Sequence, residues 1–244
     1  MRSIAAVPCD LCPVRGMPLF RPFSPPDLAL VSDMKTGQRM ADPGTEIVDP
    51  AESGRVFFTI FDGWAYRYRE NGGGRQRILD LMLPGDSIGL DGVLLGTPPF
   101  PVRALTALNL CVLDASMVER ILATRPAVAR SLMADLAQAL RRADERLWRQ
   151  RSGPQRCGYL ILETFDRLQR RGLADAGCPF PLQRRHMAAM LGMSGTHVAR
   201  SLAELRGDGL ASIADGMLMI HDRSRLETFA GYVPEHPLGQ TTLL

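Results

Sequence analysis

Apolar residues recur at every second position in short runs along the first half of the chain, and at every third or fourth position along the second half. Arg55 to Phe61 (RVFFTIF) runs almost directly into Gly63 to Arg69 (GWAYRYR), and both alternate apolar with polar positions as half-buried strands do. Asn71-Gly-Gly-Gly74 then turns the chain into a third run, Arg77 to Met82. Further strands are predicted at Val102 to Ala107 and Leu110 to Leu113. Short strands divided by Gly and Pro across residues 25–115 predict an antiparallel β-barrel or jelly roll.

Near Ser116 the period lengthens. Ser116 to Thr124 reads as a short helix stopped by Arg125-Pro126, and Pro126 suits the first turn of a long helix reaching about Arg151. Its apolar stripe is Val128, Leu132, Leu136, Leu140, Ala143 and Leu147. So narrow a stripe on so long a helix fits a dimer seam; the alternative is that it packs on its own barrel. Gly153-Pro154 is expected to close this helix. An amphipathic helix from Gln155 to Arg171 follows, with Leu160, Ile161, Phe165 and Leu168 inward. A loop with Gly177 and an extended piece from Phe180 to Leu182 come next.

Arg184 to Leu202 (RRHMAAMLGMSGTHVARSL) carries the most information. Ala188 is small where two helices must cross, and Gly192 can take the positive φ that ends a helix abruptly. Ser194 suits an N-cap, and Val198, Leu202 and Leu205 form a buried stripe. Thr196, His197 and Arg200 lie on the face left over, and they carry hydrogen-bonding groups of the kind that read base edges. A hairpin follows, Leu210 to Ile213 and Met217 to Ile220 about Ala214-Asp215-Gly216. Helix, helix-turn-helix and hairpin together make a winged helix, so the expected function is DNA-binding regulation. Tyr232 to Leu244 reads as a loose tail.

The expected fold class is therefore α+β in five parts. They are an N-terminal segment (1–24), an antiparallel β-barrel or jelly-roll sensor domain (25–115), dimerisation helices (116–153), a winged helix-turn-helix (154–232) and a tail (233–244). The 244 residues suffice for two domains, and 45% apolar with 23% charged residues is a globular composition. No apolar run is long enough to span a bilayer, so no membrane partner is expected. The start MRSIAAVPCD lacks a secretory core, which predicts a cytoplasmic protein with its five cysteines reduced.

Net charge is only +3, but it is unevenly spread. Residues 25–115 hold eight basic against twelve acidic side chains, a balance of −4, whereas residues 116–244 hold eighteen against thirteen, a balance of +5. An acidic front and a basic back suit a sensor joined to a DNA-binding domain. The four histidines, His186, His197, His221 and His236, all lie in the C-terminal quarter, which leaves the sensor no imidazole for haem. Neither a metal-hydrolase pair nor a nucleophile elbow appears, so an enzyme is not expected.

The order of barrel, long helix and winged helix resembles the Crp–Fnr superfamily of bacterial transcription regulators over about residues 20–230. The resemblance rests on LMLPGDSIG (Leu81 to Gly89), Val102-Arg103-Ala104 after a loop, and LGMSGTHVARSLAELRGDGL (Leu191 to Leu210). It implies a homodimer on a palindromic site in double-stranded DNA, with RNA polymerase as a further partner. Arg200 matches the family arginine that reads guanine; a phosphate clamp or an intradomain salt bridge is the alternative. Where the best-known members carry a base-reading Glu, this chain has Thr196 followed by His197, so their half-sites are not expected. Ser194, Arg184 and Arg185 are expected at the DNA backbone.

Cyclic-nucleotide members hold their phosphate where this chain has Gly85 to Gly96. Their Glu and Arg-Ser pair are replaced by Leu90 and Pro98-Pro99, so a cyclic nucleotide is not expected. Asn71 to Gly74 lacks the Gly-Lys-Ser/Thr of a phosphate loop. Cys9-Asp-Leu-Cys12, with Cys111 in NLCVLD, is similar to the cluster motif of the fumarate–nitrate branch. A cubane cluster normally needs four thiolates, and Pro18 and Phe20 lie where the missing one belongs. Three readings stay open. Three thiolates with Asp10 or an outside ligand hold an iron–sulfur cluster; Cys9 and Cys12 form a thiol switch; or Cys111 is buried in the barrel beside a relic motif. Cys157 and Cys178 are expected to be structural. At the level of function, two alternatives accompany the signal-responsive regulator. One is a ligand-free regulator controlled by abundance; the other is an iron–sulfur or thiol protein whose winged helix serves protein contacts.

Overall fold

The computed structural model describes residues 1–16, 24–51, 56–147 and 151–234. They fall into two compact units, Met1–Arg141 and Arg142–Leu244. In the first unit, β1 (Arg2–Ile4) leads through two 3-10 turns, Cys9–Leu11 and Pro13–Gly16, to α1 (Pro25–Met34). The strands β2 (Lys35–Ala41), β3 (Glu46–Val48), β4 (Val56–Asp62), β5 (Ala65–Glu70), β6 (Gln76–Met82) and β7 (Ser87–Ile88) follow. Then come α2 (Leu90–Leu95), β8 (Val102–Ala104), β9 (Leu108–Asp114), α3 (Met117–Thr124) and α4 (Pro126–Leu147), which runs across the division.

The strands form two sheets, ordered β1-β2-β9-β4-β7 and β3-β8-β5-β6, with antiparallel pairing throughout. One core joins them: Ala41, Phe58, Ile60, Leu108, Leu110 and Val112 from the first sheet pack with Ile47, Ala65, Val102 and Ala104 from the second. The arrangement is a jelly roll of two facing sheets rather than a closed barrel. The strand expected to reach Ala107 stops at Ala104, because Leu105 and Thr106 both donate their N–H to the Trp64 carbonyl, at 2.8 and 3.2 Å, and turn the chain. The N-terminal residues are not separate: β1 adds an edge strand to the first sheet, pairing Arg2 with Met40 and Ile4 with Gln38.

A second core lies under the helices, where Leu30 and Met34 of α1 meet Phe57, Leu113, Val118, Ile121, Val128 and Ala129. Leu132 is partly buried against the same cluster. The first turns of α4 therefore pack on their own unit.

In the second unit, α5 (Gly153–Gln169) precedes β10 (Gly177–Pro179), α6 (Arg184–Leu191), α7 (Gly195–Gly207), β11 (Ala211–Ala214), β12 (Met217–Ile220) and α8 (Arg223–Ala230). Gly153-Pro154 opens α5 instead of closing the preceding helix. Ser152 caps it by accepting from the Gln155 N–H, while Gln155 accepts from the Ser152 N–H at 2.8 Å. The extended piece expected at Phe180 to Leu182 is displaced to Gly177–Pro179, because the Cys178 row is the one that pairs with Leu218 of β12. The hairpin turns on Asp215 and Gly216, both at positive φ, the two-residue turn whose twist matches the strands.

Helix α8 was not foreseen. It supplies Leu226 and Ala230 to the core, and Tyr232 beyond it is buried rather than part of a loose tail. The Tyr232 hydroxyl donates to Asp166 at 2.8 Å, and Arg223 pairs with the same carboxylate at 2.8 Å. Buried Glu163 likewise sits between Arg142 and Arg146, tying the end of α4 to α5. His236 and the tail from residue 235 onward lie outside the described residues.

Candidate nucleic-acid interface

The reading head is built from α6, a tight turn and α7. Gly192 takes φ 64° at the end of α6, and the Met193 N–H donates to the Ala188 carbonyl at 3.1 Å, which completes the stop. Two residues later, the Ser194 hydroxyl accepts the His197 N–H at 3.1 Å and starts α7. That bond uses an acceptor lone pair of Ser194 and leaves its hydroxyl proton to donate elsewhere. On α7, Val198, Ser201 and Leu205 are buried against the rest of the unit.

Thr196, His197 and Arg200 are exposed, so all three residues expected to read DNA share the open side of α7. Among the described residues, Arg200 forms no ion pair or side-chain hydrogen bond, and its five donors remain available. His197 is held differently. Its Nε2 lies against Gly153, where there is no room for a Cβ, so the ring rests by the start of α5. That contact was not legible from the helix pattern, which treats position 153 as punctuation.

Arg184 and Arg185 are exposed at the start of α6. There they share the end of the helix that carries partial positive charge and free N–H groups, where an anion is favoured. His186 is half-buried beside them. The Gln183 N–H points at its Nδ1 at 3.1 Å and the Arg185 Nε–H at its Nε2 at 3.2 Å. Burial lowers its affinity for a proton, and the Arg185 charge lowers it further.

Farther up the chain, α4 offers an unpartnered apolar face. Met133, Leu136 and Leu140 are 59%, 40% and 64% exposed, and Ala143 is exposed next in the series. Positions 133, 136, 140, 143 and 147 follow the alternating three-and-four spacing of a coiled-coil seam. The side chain of Leu147 lies outside the described residues. Met133 was missed because the expected stripe was phased from Val128 and Leu132, which point into the unit's own core.

Residues 155–229 match the family described as the Crp-like helix-turn-helix domain, and residues 38–125 match the cyclic nucleotide-binding domain. The chain belongs to the Crp–Fnr superfamily of bacterial transcription regulators. Nitrogen fixation regulation protein FixK of Bradyrhizobium diazoefficiens is 26% identical over 176 residues, 71% of this chain and 73% of that one. The cyclic AMP receptor protein of Thermus thermophilus is 27% identical over 220 residues, 89% and 98% of the two chains. Among solved structures, FixK2 from Bradyrhizobium japonicum superposes with a TM-score of 0.70 at 24% identity, covering 80% of this chain and 98% of that one. These relatives are regulators, and this Crp–Fnr chain is a DNA-binding transcription regulator with a sensory domain. No helix among the described residues is long and apolar enough to cross a membrane.

The sensory domain does not fit a cyclic nucleotide. Leu90 is buried, and Pro98 packs directly on Gly92. No Lys or Arg occurs between Gly85 and Pro101. Two nearby cations are already engaged: Arg67 pairs with Asp91 at 3.2 Å, and Arg103 with Glu46 at 3.0 Å while lying over the Tyr68 ring. Nor do the cysteines fit a metal cluster as they stand, since no group of three or more His, Cys, Asp or Glu among the described residues is placed to hold a metal ion.

Cys111 is not in the core, as one reading had it. It is half-buried on the face of β9 opposite Leu110 and Val112, with Cys9 and Cys12 near enough to act on its charge. Cys157 and Cys178 are fully buried, and burial pushes both thiols up to about 11, as in structural positions.

Proposed function

We propose that the protein acts as a homodimer on a two-fold symmetric operator, with α7 of each protomer in a major groove. The observation that carries this reading is the uncommitted Arg200 guanidinium on the open face of α7, opposite buried Val198 and Leu205. In that pose Arg200 donates in bidentate fashion to guanine O6 and N7, a pairing worth about 1–3 kcal/mol of discrimination. Thr196 and His197 flank it and read neighbouring positions. Ser194, Arg184 and Arg185 hold phosphates, which gives affinity without sequence information.

The face of Met133, Leu136, Leu140, Ala143 and Leu147 pairs with its counterpart on a second copy and sets the distance between reading heads, with Leu132 at its edge. RNA polymerase is the further partner that a regulator of this family engages. Leu90, Pro98 and Pro99 support a signal other than a cyclic nucleotide, and the half-buried thiols of Cys9, Cys12 and Cys111 support a redox signal.

Selection from a random duplex library tests the reading. It should enrich a palindrome whose half-sites are about one helical turn, roughly 34 Å, apart. An enriched asymmetric site would refute the dimer. No enrichment at all, with binding only to protein partners, would leave the winged helix as a protein-contact module.

A further inference from the structure

Strand β8 presents Val102 and Ala104 to the core between the two sheets, so Arg103 between them projects from the opposite face. There Arg103 Nη2 donates to Glu46 Oε2 at 3.0 Å and to the Tyr68 hydroxyl, which itself donates to the same Glu46 oxygen at 2.7 Å. These three side chains form one side of a groove of about 550 Å³, and small-molecule sites span roughly 300–1,000 Å³. Pro50, Pro99, Phe100 and Pro101 form its apolar side. That wall is held in place: the Tyr68 N–H donates to the Pro101 carbonyl at 3.1 Å, and the Arg67 guanidinium lies over the Phe100 ring, 5.9 Å from its centre. Neither Leu90 nor Gly92 lines the groove, which is thus separate from the glycine-rich stretch after Gly85.

Arg69 and Glu70 of β5 complete the lining. Two carboxylates and two guanidinium groups meet here, but their bonding is unequal. Glu46 accepts from Tyr68 and Arg103, and Glu70 accepts from Gln76 Nε2 at 3.0 Å. Both bonds of Arg103 come from Nη2, which leaves Nη1 open, and exposed Arg69 forms no ion pair or side-chain hydrogen bond among the described residues. Arg77 of β6 stands directly opposite Arg69, so two like charges face each other across the hairpin, an arrangement that costs stability until an anion joins it. The uncommitted donors are therefore cationic, and they adjoin an apolar wall.

We propose that this groove binds a small organic carboxylate with an aromatic or branched apolar body. The carboxylate accepts from Arg69 and from Arg103 Nη1 in charge-assisted hydrogen bonds, and the body lies against Phe100 and the prolines. Glu46 and Glu70 in the same lining repel a second negative charge, which selects a monoanion over a phosphate ester. Such a ligand would supply the non-nucleotide signal proposed above, and its part in signalling rests on that reading; its binding does not.

Calorimetric titration of the full-length protein with benzoate, isovalerate and their neutral amides tests the site. At least one acid should bind with a dissociation constant on the order of 1 mM or below, and its amide about tenfold more weakly. Arg69→Gln, at an exposed position, should weaken that acid about tenfold and leave the melting temperature unchanged. Arg120→Gln removes the same charge from an exposed position on α3 outside the groove, and should leave the affinity as it is. Absence of binding by both acids at about 10 mM, equal affinity for acid and amide, or equal weakening by the two substitutions would overturn the proposal. Because no DNA is involved, the result is independent of the operator reading.

Discussion

Side chains at the reading head divide into those with a structural partner and those without one. Ser194 and His186 stabilise helix starts, His197 rests against Gly153, and Arg200 is committed to nothing among the described residues. Helical spacing made the exposure of Arg200 legible, but not the resting place of His197, because a ring lying over a glycine in another helix leaves no periodic signal.

His186 gives the clearest consequence of environment. A neutral imidazole can accept at only one nitrogen, and a protonated one at neither, so the facing Gln183 and Arg185 donors favour the unprotonated ring. With its proton affinity lowered in the folded state, the unfolded chain takes up a proton first as pH falls through the ordinary value of 6.5. Stability should therefore be complete above that value and decline on acidification below it. Thermal unfolding at pH 7.5 and 5.5 checks this: His186→Asn should show a smaller acid loss than the wild type. An equal or larger loss would assign the acid sensitivity elsewhere.

Among the elements, the strands with alternating patterns and the helix-turn-helix were legible, and the edges were not. Strands β1 to β3 escaped because their outward positions carry Lys35, Gln38 and Glu46, whose polar groups bind other strands or the N-terminal segment instead of water alone. Gly153-Pro154 stops one helix or begins another; the Ser152–Gln155 capping box, visible in the sequence, decides between them.

The phase of α4 was misread for a related reason: its first turns belong to the sensory domain's core, and only from Met133 onward does the apolar face lie open. Leu140 is 64% exposed, so Leu140→Asp removes little intramolecular packing. It should leave the melting temperature of the monomer nearly unchanged yet shift sedimentation from dimer to monomer at micromolar concentration. A variant that still sediments as a dimer would remove α4 from the seam.

At the scale of the molecule, one chain joins an acidic jelly roll to a DNA-reading unit. The order of those parts could be read from periodicity because each unit keeps its own period over a long stretch. The fastening of the N-terminal segment to the sheet could not, since it depends on β1 pairing with β2 and on the bond from Val7 to Gln38, which in turn bridges to Asn109.

The central claim remains that Arg200 reads a base. Wild type and Arg200→Ala should be titrated against the selected duplex and against duplexes changed at one base pair per half-site, at fixed ionic strength. The variant should stay dimeric, lose about 1–3 kcal/mol per half-site on the selected duplex, and no longer distinguish it from the duplex altered at the guanine. If Arg200→Ala ranks the duplexes as the wild type does, α7 does not read DNA through this residue.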